Sequence, residues 1–255
     1  MKNLFDLTGK VALITGASSG LGVKYAKALA NQGANIAITA RRVEKLEQVK
    51  KEIENIGVKC FTAPCDVGKT EEIISMVTKV KEHYGRIDIL VNNAGVGKPF
   101  PAETQTDDEW LSIININLNA VYYVAREVGK VMIEQKYGKI INIGSIHSTV
   151  SFFGTPISAY CTSKGGVWML TKTLATEWAK HNITVNAIGP GYFPSELTKD
   201  IIADDTFQQA VKAYCPMGRV GQDGELNGAI IYFASDASSY TTGQLLIIDG
   251  GWTTI

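Results

Sequence analysis

The sequence predicts an α/β fold: a doubly wound parallel sheet of seven strands with helices on both faces, in one domain over residues 1–255. Three observations predict it. Short β-branched runs alternate with longer stretches of helical period. The runs are apolar throughout rather than at every second residue, which marks strands covered on both faces. The first run ends in a glycine-rich turn that opens a helix, the arrangement a strand–helix–strand unit uses to hold phosphate.

The elements follow in order. Lys10–Thr15 is a buried strand, and Gly20–Gln32 a helix with Leu21, Tyr25, Ala28 and Leu29 on one face. Asn35–Thr39 is the second strand and Val43–Ile56 a charged amphipathic helix. Val58–Ala63 is the third strand and Thr70–Tyr84 the third helix. Ile87–Val91 is the fourth strand. Trp110, Ile113, Ile114, Asn117, Val121 and Val124 then recur at helical spacing in one long helix. Lys139–Ile143 is the fifth strand, Ala159–Lys180 a long helix, Thr184–Ile188 the sixth strand and Leu245–Asp249 the seventh. Glu196–Tyr214 reads as one or two short helices inserted near residues 192–216, with Leu197, Ile201, Ile202, Phe207, Val211 and Tyr214 forming an apolar face. This segment is either a substrate lid or a subunit contact.

Lysine plus arginine total 25, as do aspartate plus glutamate, and the formal net charge is zero. Nucleic acid and anionic membranes both call for a basic surplus, so neither is expected as a partner. No apolar run approaches the ~18 residues of a membrane span, and the opening Met1-Lys2-Asn3-Leu4-Phe5-Asp6 has no secretory pattern. Cys60, Cys65, Cys161 and Cys215 lack Cys-x-x-Cys spacing and histidine neighbours. They read as reduced thiols in a cytoplasmic protein without a metal site.

The first strand runs into Thr15-Gly16-Ala17-Ser18-Ser19-Gly20-Leu21-Gly22. Glycines here let the backbone approach a ligand, and the following helix offers free N–H groups to a pyrophosphate. The alternative is a turn that only permits tight helix packing. The second strand ends in Thr39-Ala40-Arg41-Arg42, with no carboxylate to accept ribose hydroxyls. Arginine there suits a 2′-phosphate, to which Ser18 adds a hydroxyl, so NADP(H) is expected over NAD(H), with residual use of NAD(H). Otherwise Arg41 and Arg42 are solvated charges opening a helix.

Tyr160 and Lys164 stand four residues apart at the start of a helix and so share a face. An ammonium beside a phenol favours the phenolate, which predicts a lowered tyrosine pKa and a usable acid or base near neutrality. Ser145 ends the fifth strand, Asn92-Asn93-Ala94-Gly95 the fourth, and Pro190-Gly191 follows the sixth. All lie on the rim where parallel sheets bind ligands.

Together these residues resemble the short-chain dehydrogenase/reductase family over essentially the whole chain. The turn from Thr15 to Gly22, Asp66-Val67, Asn92-Asn93-Ala94-Gly95, Asn117, Ser145, Tyr160, Lys164, Pro190-Gly191 and Asp249-Gly250-Gly251 fall in the family's order and spacing. The resemblance implies a Rossmann-type fold and a reversible alcohol–carbonyl oxidoreductase using a nicotinamide cofactor. It gives Tyr160 the acid/base role, Lys164 the nicotinamide ribose, Ser145 the substrate oxygen and Asn117 a relay water. It also implies cofactor contacts from Asp66, Val67, Asn93, Ala94, Gly95, Tyr160, Lys164, Pro190, Gly191 and Phe193. Ser195 stands in for the threonine often found after Pro-Gly. On the residues alone, Asn117 reads equally as an amide satisfying buried backbone, and Asp66 and Asn92 as turn residues. A non-catalytic dinucleotide-binding regulator would be expected to lose Tyr160, Lys164 or Ser145, and all three are present.

Within the family the likeness is strongest to gluconate 5-dehydrogenase-type members, carried by Leu4–Lys10, His181–Asn186, Pro190-Gly191-Tyr192-Phe193 and Asp249-Gly250-Gly251. A sugar acid or polyol is therefore one expected substrate. Ser145, His147, Tyr160 and Tyr192 are its candidate contacts, and Lys98 a candidate cation. Lys98 and His147 read equally as a solvated lysine and a packed loop histidine. Phe152, Phe153 and Trp252 point instead to a bulkier apolar ketone, such as a hydroxysteroid or 3-oxoacyl group. A homotetramer is expected, burying the Trp252–Ile255 tail and the helices at Trp110–Val128 and Ala159–Lys180 between subunits.

Overall fold

A computed structural model describes residues 3–152 and 154–254. Phe153 and Ile255 lie outside the described residues. Seven parallel strands form one sheet in the order β3-β2-β1-β4-β5-β6-β7. They are β1 Val11–Thr15, β2 Asn35–Thr39, β3 Cys60–Thr62, β4 Ile89–Asn92, β5 Gly138–Ile143, β6 Ile183–Pro190 and β7 Leu245–Ile248. The helices are α1 Gly20–Ala30, α2 Val43–Glu54, α3 Thr70–Tyr84, α4 Asp107–Ile114, α5 Ala120–Gln135, α6 Ser158–Trp178, α7 Lys199–Ile202, α8 Asp205–Tyr214 and α9 Asn227–Ala234.

The apolar runs are strands because both their faces are covered. Leu29 of α1, Leu46 of α2 and Ile230 of α9 pack with Ile14, Ile36 and Ile141 on one face. Val77 of α3, Val128 of α5 and Leu174 of α6 pack with Leu13, Leu90 and Val185 on the other. Strand order reverses beside β1, which pairs with β2 on one side and β4 on the other. A parallel sheet opens its ligand crevice at the carboxyl ends of the strands flanking such a point.

Three expectations need correction. The long helix from Trp110 is interrupted by a π turn over Asn115–Asn119 that separates α4 from α5. Such widened turns commonly mark functional positions, and this one holds Asn117. Helix α9 was not expected. Its sequence Asn-Gly-Ala-Ile-Ile-Tyr-Phe-Ala is apolar on nearly every side, so it lacks the periodicity that betrays a surface helix. Trp252 is covered by its own chain: its ring lies 5.5 Å from Phe152, 5.3 Å from Tyr192 and 6.2 Å from Tyr214. Asp249 anchors the tail by accepting from the Gly251 and Thr253 backbones. The expected inserted helices are α7 and α8. Phe207 and Val211 face inward, while Leu197, Ile201 and Tyr214 remain exposed.

Candidate active site

The glycine-rich turn is a backbone cradle. Gly16 has φ +67°, and a Cβ there would stand 2.8 Å from the Cα of Ala94. One on Gly22 would stand 2.5 Å from the Gly16 carbonyl oxygen, so Gly22 lets α1 close on the turn. Asn93 ties this turn to the end of β4. Its amide donates to the Thr15 and Gly16 carbonyls at 2.9 and 3.2 Å, and the Thr15 hydroxyl accepts from the Asn93 and Ala94 backbones. Ser19 caps α1 without a side-chain bond to the helix backbone. The leading N–H groups are thereby left without a side-chain cap, as a pyrophosphate-binding helix needs. These features fit a dinucleotide.

At the end of β2 the two arginines differ. Arg42 donates through Nε and Nη2 to the Ser18 hydroxyl at 3.1 and 3.0 Å, and through Nη2 to Ser19 at 2.6 Å. Arg41 makes no hydrogen bond or ion pair among the described residues, although both line the same cleft. Sequence reasoning missed two charged neighbours. Lys45 stands three residues beyond Arg42 on the same helical side, a spacing that could have revealed it. Glu196 binds both cations and is far away in sequence, with no signal of its own. Asp66 turns its loop by accepting from Gly68 N and lines the cleft with Val67.

The catalytic candidates meet where β4, β5 and α6 converge. Lys164 is buried and donates to the Ile143 carbonyl at 2.8 Å, with Nζ 5.7 Å from the centre of the Tyr160 ring. Burial pushes its pKa down to about 8. The Tyr160 phenol is pushed up, chiefly by burial and against a hydrogen bond with Ser145 that pulls it down. The expected lowering by lysine is therefore corrected: desolvation of the buried phenol decides the direction. Ser145 Oγ accepts from His147 N at 3.1 Å, which holds the hydroxyl beside Tyr160.

Asn117 is fully buried. Its Oδ1 accepts from Val96 N at 2.8 Å, and its Nδ2 donates to the Val96 carbonyl at 2.8 Å and to Ser163 at 3.2 Å. The Ser163 hydroxyl donates to the Tyr160 carbonyl. Asn117 thus satisfies buried backbone and ties the β4 loop to α6. Asn92 extends a buried polar chain, donating to Asn142, which donates to Thr171.

A cleft of about 1230 Å³ joins these regions. Its lining runs from Gly16, Ser18, Ser19, Gly20 and Leu21 past Asn93, Ala94 and Gly95 to Ser145, Tyr160 and Lys164, and includes Pro190, Gly191, Phe193, Ser195 and exposed Lys98. Gly22, Asn117, His147 and Tyr192 stand behind its walls. The His147 ring packs edge-on to Tyr160 at 6.0 Å. The Val150 carbonyl can only accept, so His147 Nδ1 carries hydrogen and donates to it at 3.1 Å. Burial lowers the His147 pKa. The neutral ring's Nε2 then accepts from the Tyr192 hydroxyl at 3.3 Å. Thr198, also missed in the sequence, lines the cleft and shares a hydrogen bond with Ser195 at 2.9 Å.

The family model described as Enoyl-(Acyl carrier protein) reductase matches residues 16–253. Gluconate 5-dehydrogenase of Gluconobacter oxydans (strain 621H) is 40% identical over 251 residues, 98% of this chain and 97% of that protein. The chain belongs to the short-chain dehydrogenase/reductase family. It is an oxidoreductase that interconverts a secondary alcohol and a ketone with a nicotinamide dinucleotide. The 5-keto-D-gluconate 5-reductase of Escherichia coli (strain K12) is 39% identical, covering 98% of each chain. The crystal structure of a gluconate 5-dehydrogenase from Burkholderia cenocepacia J2315, in complex with NADP and tartrate, superposes with a TM-score of 0.95. It is 38% identical, covering 99% of this dehydrogenase/reductase and 98% of that chain. Among the described residues no helix is long and apolar enough to cross a membrane.

Proposed function

We propose that this enzyme interconverts a hydroxy and a keto group on a six-carbon sugar acid of the gluconate type, with NADP(H) preferred over NAD(H). The observation that carries the cofactor half is Arg42, seated on Ser18 and Ser19 at the end of a strand that offers no carboxylate. The sugar-acid half is supported by relatives whose names refer to gluconate, 5-keto-D-gluconate and, at 38% identity, 2-dehydro-3-deoxy-D-gluconate. Exposed Lys98 on the cleft lining offers a cation to the substrate carboxylate. The rival reading, a bulky apolar ketone, is not favoured by this cleft: Phe152 packs against Tyr214 and Trp252, and Trp252 lines a separate cavity of about 320 Å³ with Tyr192 and Cys215.

The bound nicotinamide would supply or accept the hydride. Gly16 to Gly22, Arg42, Asp66, Val67, Asn93 to Gly95, Pro190, Gly191, Phe193 and Ser195 would hold the dinucleotide. Tyr160 gives its phenolic proton to the substrate oxygen in reduction and removes it in oxidation. Ser145 donates a hydrogen bond to that oxygen as negative charge grows. Lys164 supplies a positive charge beneath Tyr160. Asn117 holds the Val96 loop and, in the same turn, anchors a relay water. Tyr192 donates to His147, whose ring packs on Tyr160, and so braces the substrate end of the cleft from behind its wall. The segment over 192–216 acts as a lid.

A homotetramer in the cytoplasm completes this reading. It is supported by Leu111, Tyr122, Met169 and Leu246, exposed on α4, α5, α6 and β7, and by four free cysteines. Light scattering at micromolar concentration should give a tetrameric mass. The test of function is reduction of 5-keto-D-gluconate, followed by nicotinamide absorbance, with NADPH and NADH in parallel. Faster turnover of an apolar cyclic ketone would overturn the substrate half, and higher kcat/KM with NADH the cofactor half.

A further inference from the structure

Arg42 and Lys45 do not face solvent alone. Both converge on one carboxylate, that of Glu196, which accepts from Arg42 Nη2 at 3.0 Å, Lys45 Nζ at 2.9 Å and the Ser19 hydroxyl at 2.8 Å. These are the donors that a phosphate monoester beside the glycine turn would use. Arg42, Lys45 and Ser19 hold the Glu196 carboxyl down to about 2, so it is an anion at every working pH. The segment carrying it rests on the turn: Lys24 donates to the Pro194 carbonyl at 3.5 Å, and Ser195 would touch a Cβ placed on Gly20. The next residue, Leu197, approaches Gly97, the same glycine that Tyr160 approaches. A Cβ on Gly97 would lie 3.5 Å from the Tyr160 ring and 3.6 Å from the Leu197 side chain.

We propose that Glu196 is an internal counter-anion that competes with the cofactor's 2′-phosphate for Arg42, Lys45 and Ser19, and that this competition sets the NADP(H)-over-NAD(H) ratio. The proposal rests on the NADP(H) reading above. A 2′-phosphate and a carboxylate crowded onto one cation pair repel, so NADPH displaces Glu196 from Arg42 and Lys45. NADH, with a free 2′-hydroxyl, leaves the carboxylate where it is. Because Leu197 and Tyr160 approach the same glycine, Gly97, releasing Glu196 also loosens the chain covering the substrate side of the cleft. Residues 195–198 thereby report the identity of the cofactor to the reacting end.

Calorimetric Kd values for NADPH and NADH on wild type, Glu196→Gln, Arg42→Ala and the double variant test this. Glu196→Gln should tighten NADPH about fivefold, the scale of one exposed ion pair, and move NADH by less than about twofold. In the Arg42→Ala background the gain should shrink. Amide exchange over 196–203 should be faster with NADPH than with NADH in wild type, and equal in Glu196→Gln. Unchanged or weaker NADPH binding in Glu196→Gln, with the wild-type preference for NADPH intact, overturns the competition. A wild type that binds the two cofactors equally and is indifferent to Arg42→Ala overturns both readings, with the fault traced to Arg42 rather than to Glu196.

Discussion

The two ends of the cleft are built on opposite principles. At the reacting end, Asn117, Ser145 and Lys164 are buried and each is held by backbone or by another buried group. At the adenosine end, Arg42, Lys45 and Glu196 are about half exposed and held by one another. A buried constellation keeps its geometry because every alternative leaves a polar group unsatisfied. An exposed ion cluster is worth little in stability, is screened by salt, and rearranges when a better anion arrives. On the proposed reading chemistry belongs to the packed end and cofactor choice to the charged end, and residues 195–198 connect the two.

The sharpest way to break this contrast is at Tyr160. Tyr160→Phe keeps the ring packed against His147 but removes the proton, and kcat should fall about 100- to 10,000-fold. The Kd for either cofactor should hardly move, since Lys164, the glycine turn and Arg42 are untouched. Near-normal turnover would show that the buried end is not the reacting end. Because burial raises the phenol's pKa, the neutral enzyme is ready to donate a proton, and alcohol oxidation should accelerate as pH rises through the alkaline range. A flat oxidation profile would remove Tyr160 as the base.

Lys164 gives a second test, in stability. In the unfolded chain its ammonium keeps its proton to near 10.5, whereas burial brings it down to about 8 in the fold. Between those values the unfolded state binds more protons, so stability attributable to Lys164 rises with pH. Below about 8 both states are charged, and the fold carries the full cost of a buried ammonium. The relief across the window is about 3 kcal/mol at most. Urea melts of the cofactor-free protein near pH 7 and about pH 10 should show that increment in wild type and lose it in Lys164→Met. Equal pH increments in the two proteins would place the lysine in a wetter site.

The sequence displayed the reacting end better than the selecting end, for a physical reason. Gly16 to Gly22 and the Tyr160–Lys164 pair are local: a turn and one helical step bring their parts together, so spacing alone reveals them. Ser145 and Asn93 were legible because they close strands of a parallel sheet, whose ligand rim is known once its strands are. Glu196 meets Arg42 across 154 positions, and nothing in either neighbourhood announces it. The direction of the Tyr160 shift was also hidden, because desolvation sums over every wall of the cleft while the lysine four residues away is visible in the chain. Asn117 shows the middle case. Its place on a helix could be read, but its π turn and its side-chain partners Val96 and Ser163 are supplied only by the fold.

The smallest expected effect separates the two arginines that the sequence treats alike. Arg42 is organised by Ser18 and Ser19 before any ligand arrives, so a 2′-phosphate meets a guanidinium already in place. A charge-assisted bond of that kind contributes roughly 1.5–3 kcal/mol, and Arg42→Ala should weaken NADPH about 10- to 100-fold with little change for NADH. Arg41 has no partner to hold it among the described residues, and ordering a long side chain on binding consumes most of what its charge would contribute. Arg41→Ala should therefore weaken NADPH only about twofold, and that small effect should vanish in high salt, where exposed charges are screened. Calorimetry of both variants at low and high salt checks the pair. If Arg41→Ala costs as much as Arg42→Ala, the adenosine end holds phosphate by net charge rather than by a built site. The preorganised Arg42 would then confer no advantage over its neighbour.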